Sequence, residues 1–174
     1  MFCIYLIKNL SMKKVTLLLL VLLCCITSCS DDDDKINVSS SIVIDGISFR
    51  PDKAVYSYEE ASFNSQKKVR FVASNDRNDE FLYIDISFPS TQENLSGEYS
   101  YGPGTADEQL VQVEFYAPEK RYYIAGYSLK ITDNGNSNFK FEFVSPSAFD
   151  GIKNVEVPFK GGLEGKFVLE QKVK

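Results

Sequence analysis

From about Ile42 onward the chain alternates apolar and polar residues with a period of two. That spacing sends one set of side chains to each face of a β-strand. In Phe81–Phe88 one face collects Leu82, Ile84, Ile86 and Phe88, and the other Tyr83, Asp85 and Ser87. Val111, Val113 and Phe115 repeat the pattern. So do Tyr127, Leu129 and Ile131, then Phe139, Phe141 and Phe143, then Val155, Val157 and Phe159. One dry and one wet face is what an antiparallel sheet permits. No segment carries a helical stripe over three turns; only Ala54–Phe63 is ambiguous, with Glu59-Glu60 suited to opening a helical turn.

The runs are separated by turn chemistry. Asp133-Asn134-Gly135-Asn136 predicts a hairpin, because Asn and Gly tolerate positive φ. Gly102-Pro103-Gly104, Gly161-Gly162 and the polar run Asn75–Asp79 predict further turns. The expected fold is all-β: a single antiparallel β-sandwich over 42–174, with a small up-and-down β-barrel as the alternative.

Composition removes several function classes. The 174 residues contain no His and no Trp. Ser-His-Asp and Cys-His catalysis are excluded, as are His-ligated metal sites. The 19 basic against 24 acidic residues give a net charge of −5. No basic stripe offers a nucleic-acid surface. All four cysteines, Cys3, Cys24, Cys25 and Cys29, lie near the N-terminus, so nothing later can form a disulfide or thiolate metal site. No cofactor and no metal are expected.

The N-terminal segment has the layout of a signal peptide over 1–28. Lys13 and Lys14 precede the apolar run Val15–Ile26, which is shorter than the ~20 residues of a spanning helix. Met12 is a second candidate start beside Met1. The run ends in Ile26-Thr27-Ser28-Cys29. This resembles the lipobox of bacterial lipoproteins. The resemblance implies cleavage before Cys29, a diacylglycerol on its thiol, a palmitate-type acyl chain on the new amino group, and a membrane held through lipid alone. Each buried methylene contributes ~0.8 kcal/mol, so two or three chains hold firmly. Cleavage would also remove Lys8, Lys13 and Lys14 and no acid, taking the net charge to −8.

Ser30, Asp31, Asp32, Asp33 and Asp34 follow directly. Four adjacent carboxylates repel one another and form a solvated spacer. The string is also similar to the export signal of Bacteroidetes lipoproteins, which implies an outer-membrane protein facing the exterior. Residues 29–41 are expected to be the lipidated Cys and an acidic flexible linker. The layout as a whole resembles small uncharacterised β-sandwich lipoproteins of Bacteroidetes. Ile44-Asp45-Gly46, Leu95-Ser-Gly-Glu-Tyr99, Gly126–Thr132 and Gly161-Gly-Leu-Glu-Gly165 carry that likeness.

Candidate sites are few. Tyr99 and Tyr101, then Tyr116, Tyr122 and Tyr123, are clustered aromatics that could stack on sugar rings; Tyr99, Tyr101, Tyr122 and Tyr123 are the candidate ligand set. The oxygen-rich loop Asn75–Glu80 matches no calcium loop spacing. Glu59, Glu60, Asp107, Glu108 and Glu142 supply acids, but nothing in the sequence pairs them for glycoside hydrolysis. The terminal run Phe167–Val173 could serve in strand exchange. The expected function is a non-catalytic binding or accessory module for a glycan or a surface protein. The alternative is a structural subunit of a surface assembly such as a pilus; no enzyme is expected.

Overall fold

The computed structural model describes residues 37–59, 66–102 and 108–170. The readings of Cys29, Ser30 and Asp31 to Asp34, of Glu60 and of Asp107 fall outside them. Every regular element among the described residues is a strand. In chain order these are β1 (Val38–Ser40), β2 (Val43–Ile44), β3 (Ile47–Ser48), β4 (Lys53–Glu59), β5 (Gln66–Ser74) and β6 (Phe81–Pro89). Then come β7 (Gly97–Tyr101), β8 (Leu110–Ala117), β9 (Lys120–Ala125), β10 (Ser128–Asp133) and β11 (Asn138–Val144). The last are β12 (Ser147–Asp150), β13 (Val155–Val157), β14 (Phe159–Lys160), β15 (Gly162–Lys166) and β16 (Val168–Leu169). The described part of the ambiguous stretch, residues 54–59, belongs to β4, whose Ala54 and Tyr56 are buried at period two; residues 60–63 lie outside the described residues.

The main sheet follows the order β1-β15-β11-β10-β7-β8-β6-β5-β4-β16, with β9, β12 and β13 branching from β8. Its centre is β5, β6 and β8, paired antiparallel so that Phe71 lies beside Ile84 and Ile84 beside Val113. The inward sets Leu82, Ile84, Ile86 and Phe88, and Val111, Val113 and Phe115, are all buried, as the alternation predicts. A second sheet, β14-β2-β3, supplies Ile44 to the core. Beside it Phe49 meets the Phe115 ring edge-on at 5.2 Å.

The sheet is mixed, which corrects the expectation of a purely antiparallel one. β7 runs parallel to β8, and β16 parallel to β4. The β8 edge away from β6 is shared, with β7 beside Leu110–Val111 and β9 beside Val113–Ala117. The strands β9–β10 and β11–β12 form one long hairpin in a single register, Ala125 opposite Ser147 and Ser128 opposite Val144. It is interrupted at Gly126-Tyr127 and Ser145-Pro146. A Cβ on Gly126 would lie 3.0 Å from the Val144 carbonyl oxygen, so the two arms approach closely there. The interruption throws Tyr127 outward, 76% exposed, where alternation alone places it inside.

Three further expectations are corrected. Residues 38–40, expected within the flexible linker, are a strand: Val38–Ser40 pairs with Gly165–Leu163. Small side chains make this possible: a Cβ on Gly165, at φ +147°, would fall 2.1 Å from the Asn37 carbonyl oxygen. Of the Gly161-Gly162 pair, only Gly161 turns and Gly162 already belongs to β15. Val155, Val157 and Phe159 do not form one dry strand face: Val155 is exposed. Pro158 breaks the run, and Phe159 pairs with Ile44 in the other sheet.

β15 and β16 are successive stretches of one strand, and only Phe167 separates them. The first is bonded to β11 and the second to β4, the far end of the strand order. The Phe167 N–H donates to the Ser137 carbonyl (2.8 Å), and its ring is fully buried. It packs edge-on against Phe71 (5.3 Å), Phe139 (6.0 Å) and Phe141 (5.6 Å). We expect Phe167→Ala to lower unfolding free energy by ~3–5 kcal/mol in chemical denaturation. Val168→Ala, one residue on and exposed, should stay within ~0.5 kcal/mol.

Candidate functional site

The tyrosines singled out in the sequence divide between core and surface. Tyr99 and Tyr122 are fully buried, which corrects their assignment to a ligand platform. The Tyr99 hydroxyl donates to the Leu95 carbonyl (2.9 Å) and accepts from the Gln92 amide (3.3 Å). Burial pushes its pKa up to about 12. The Leu95–Tyr99 motif is thus a tethered strand entry. The Tyr122 hydroxyl donates to the Asp45 carboxylate (2.9 Å), which also receives Lys120 Nζ (3.2 Å). This cluster fastens the β2–β3 turn to β9. Tyr101 turns its hydroxyl into the protein, buried and without a hydrogen-bond partner, and burial raises its pKa. Only Tyr123 of the four stands clear, 39% exposed.

Tyr123 does not stand alone. Cross-strand register places Val72, Tyr83, Glu114, Tyr123 and Phe149 in one row across β5, β6, β8, β9 and β12. A second row beside it holds Phe81, Tyr116 and Arg121. These are the outward positions of strands whose inward partners fill the core, so the face is fixed by the same alternation. Tyr83 meets Tyr116 edge-on at 5.6 Å, and Phe81 stacks on Tyr83 at 6.1 Å. The Arg121 guanidinium lies between two rings, 5.1 Å from Tyr116 and 4.6 Å from Tyr123. Each such contact contributes about 0.5–1 kcal/mol at an exposed site.

Polar groups are woven through the aromatics. Arg121 Nη2 donates to Glu114 Oε2 (2.9 Å), the same oxygen that takes the Tyr116 hydroxyl proton bond. Gln112 Nε2 donates to Glu114 Oε1 (2.7 Å). Burial pushes the Glu114 carboxyl up, but the donors Tyr116, Arg121 and Gln112 outweigh it and hold its pKa below the ordinary value. Next to them Arg70 grips Asp85 through two bonds of 2.6 and 2.8 Å. Arg70, Tyr83, Asp85, Gln112, Glu114 and Tyr116 line a shallow depression of about 380 Å³.

The described carboxylates are held mainly in turns and ion pairs. Asp150 is buried and lies in the field of Asp45, and Glu80, raised chiefly by burial, lies in that of Asp79. Asp150 accepts the Lys153 and Ile152 N–H groups (2.9 Å each), which lower its pKa. Tyr122 and Lys120 lower that of Asp45. Both acids are held ionised by bonds that shape turns, so neither carries a proton for general-acid chemistry. Glu142 pairs with Lys140 at 3.1 Å on the sheet surface. In the Asn75–Glu80 turn the Asn75 side chain serves the backbone itself, accepting from Asp79 N–H (3.1 Å) and Glu80 N–H (3.3 Å). Among the described residues no three of Cys, Asp and Glu gather in a way that could hold a metal ion.

Sequence reasoning missed Tyr83, Arg121 and Phe149 as site residues. Tyr83 was visible as the aromatic on the wet face of its strand, but the row required the register.

The Glu114 bonds carry a pH signature. A carboxyl whose folded pKa is lowered stabilises the fold above the ordinary glutamate value of 4.5. That stability is lost as pH falls through the folded pKa. Wild type should therefore exceed Glu114→Gln in urea denaturation at pH 7, and the gap should close on acidification toward pH 3. No protein-family model, curated protein or solved structure matches this chain.

Proposed function

We propose that this is a non-catalytic binding module carried by an outer-membrane lipoprotein that faces the cell exterior. The observation that supports binding is the outward Tyr116–Arg121–Tyr123 stack, continued by Tyr83 and Phe149. Aromatic rings left at a surface cost free energy in water, and a row of them ordered by an ion pair offers a ready surface for a ligand. Glycan is the favoured ligand class, because rings with interleaved carboxylate and amide groups suit the apolar faces and hydroxyls of sugars. The finer architecture belongs to the same proposal. The small β14-β2-β3 layer over Phe115 supports a sandwich, and the pairing of β15–β16 with both β11 and β4 supports partial barrel closure.

The second reading is a subunit of a surface assembly. It is favoured by the two-residue terminal strand β16, whose Val168 and Leu169 are exposed. It is opposed by Phe167, since freeing the strand exposes a core ring.

Binding is tested on an array of printed glycans. Wild type should bind a defined set, and Tyr123→Ala or Arg121→Ala should lose most of the signal while both variants stay folded, Arg121→Ala melting a few degrees lower for loss of its Glu114 and ring contacts. Equal signal in both variants would refute the face. The address is tested separately. Cys29→Ala should move the protein from the membrane fraction to the soluble one. Replacing Asp31 to Asp34 with Ala should lower labelling of intact cells by an impermeant reagent.

A further inference from the structure

We propose that the outward face takes a neutral oligosaccharide lying across the strands, from Tyr83 over the Tyr116–Arg121–Tyr123 stack to Phe149. This rests on the binding reading above and adds the ligand's charge, direction and length.

The charge follows from the ion pairs. Arg70 is engaged by Asp85 in a two-bond grip, and Arg121 by Glu114. Two cations face two anions within one patch, and Glu156 beside Phe149 adds a negative charge, so the face has no net positive charge with which to hold a uronate or sulfate group. The polar groups that stay exposed in this patch, Asp85 and Gln112, are a carboxylate and an amide. These can accept from and donate to hydroxyl groups.

Direction and length follow from the register. The row runs perpendicular to the strands through Tyr83, Glu114, Tyr123 and Phe149, which sit opposite one another on β6, β8, β9 and β12, with Tyr116 flanking Glu114 on β8. Three inter-strand steps of ~4.8 Å make a track of about 14 Å. Each step is close to the span of one pyranose unit in an extended chain, so the row suits about three rings. An extended peptide would instead add to a sheet edge, where main-chain groups are free. β6, β8 and β9 are interior strands, each paired on both sides. Phe149 closes the row at its outer end, 41% exposed and opposite Glu156 of β13.

The test uses an array of neutral, uronate-containing and sulfated glycans. Titration calorimetry then follows a length series, one to six units, of the best-bound glycan. The expected result is selective binding of neutral chains, with affinity rising to three units and levelling beyond. Tyr83→Ala and Phe149→Ala should each weaken the trimer roughly three- to tenfold and leave the monomer unchanged. Circular dichroism and melting confirm that both variants fold. Preference for acidic glycans, a plateau at one unit, or indifference to both variants would overturn this inference and leave glycan binding standing. A protein that binds no glycan on the array, or captures peptides instead, overturns the binding proposal as well.

Discussion

The fold depends on a ring of aromatic contacts made where the two ends of the strand order meet. Phe71 from β5, Phe139 and Phe141 from β11 and Phe167 pack edge-on at 5.0–6.0 Å, and Tyr56 of β4 stacks on Phe71 at 5.6 Å. Edge-to-face pairs add roughly 0.5–1.5 kcal/mol each beyond the burial of apolar area. Their effect is geometrical as well as energetic. β11 and β4 are far apart in the strand order, and they are held together by one strand that changes partner at Phe167. The Tyr56 hydroxyl reaches Ser137 across the same junction, 3.1 Å away.

Curling the sheet in this way consumes the inward face entirely. Every inward residue of β6 is buried, and the polar ties at its margins, Tyr99 to Leu95 and Tyr122 to Asp45, serve structure. The outward face carries the exposed Tyr123 and Phe149. Its aromatics are half-covered by one another and by arginine stems, which limits the apolar surface shown to water. The ion pairs on that face order it without charging it. A surface arranged before a ligand arrives loses little side-chain freedom on binding.

The tyrosine content misled at first sight because composition does not say which face a residue takes. Tyr122 and Tyr123 are neighbours in sequence and lie on opposite sides of β9. Tyr99 and Tyr101 share the inward side with Leu129, which pairs opposite Tyr99. Period-two logic was sufficient to separate Tyr122 from Tyr123. It could not say which of the two faced inward, because the run Arg121-Tyr-Tyr-Ile-Ala125 lacks a clear polar partner set. Burial of Ile124 fixes the choice.

By itself the sequence determined the all-β class, the strands with strict alternation and the Asn134-Gly135 hairpin. Period-two burial and positive-φ turns are local properties that a few adjacent residues encode. Tertiary structure alone decided the parallel pairings, the docking of Val38–Ser40 on β15, and the meeting of Phe81, Tyr83, Tyr116, Arg121, Tyr123 and Phe149 on one face. Register between distant strands sets all three. Register is a property of pairs of segments: each strand's own alternation fits several partners, and only the closed packing of the aromatic core selects one.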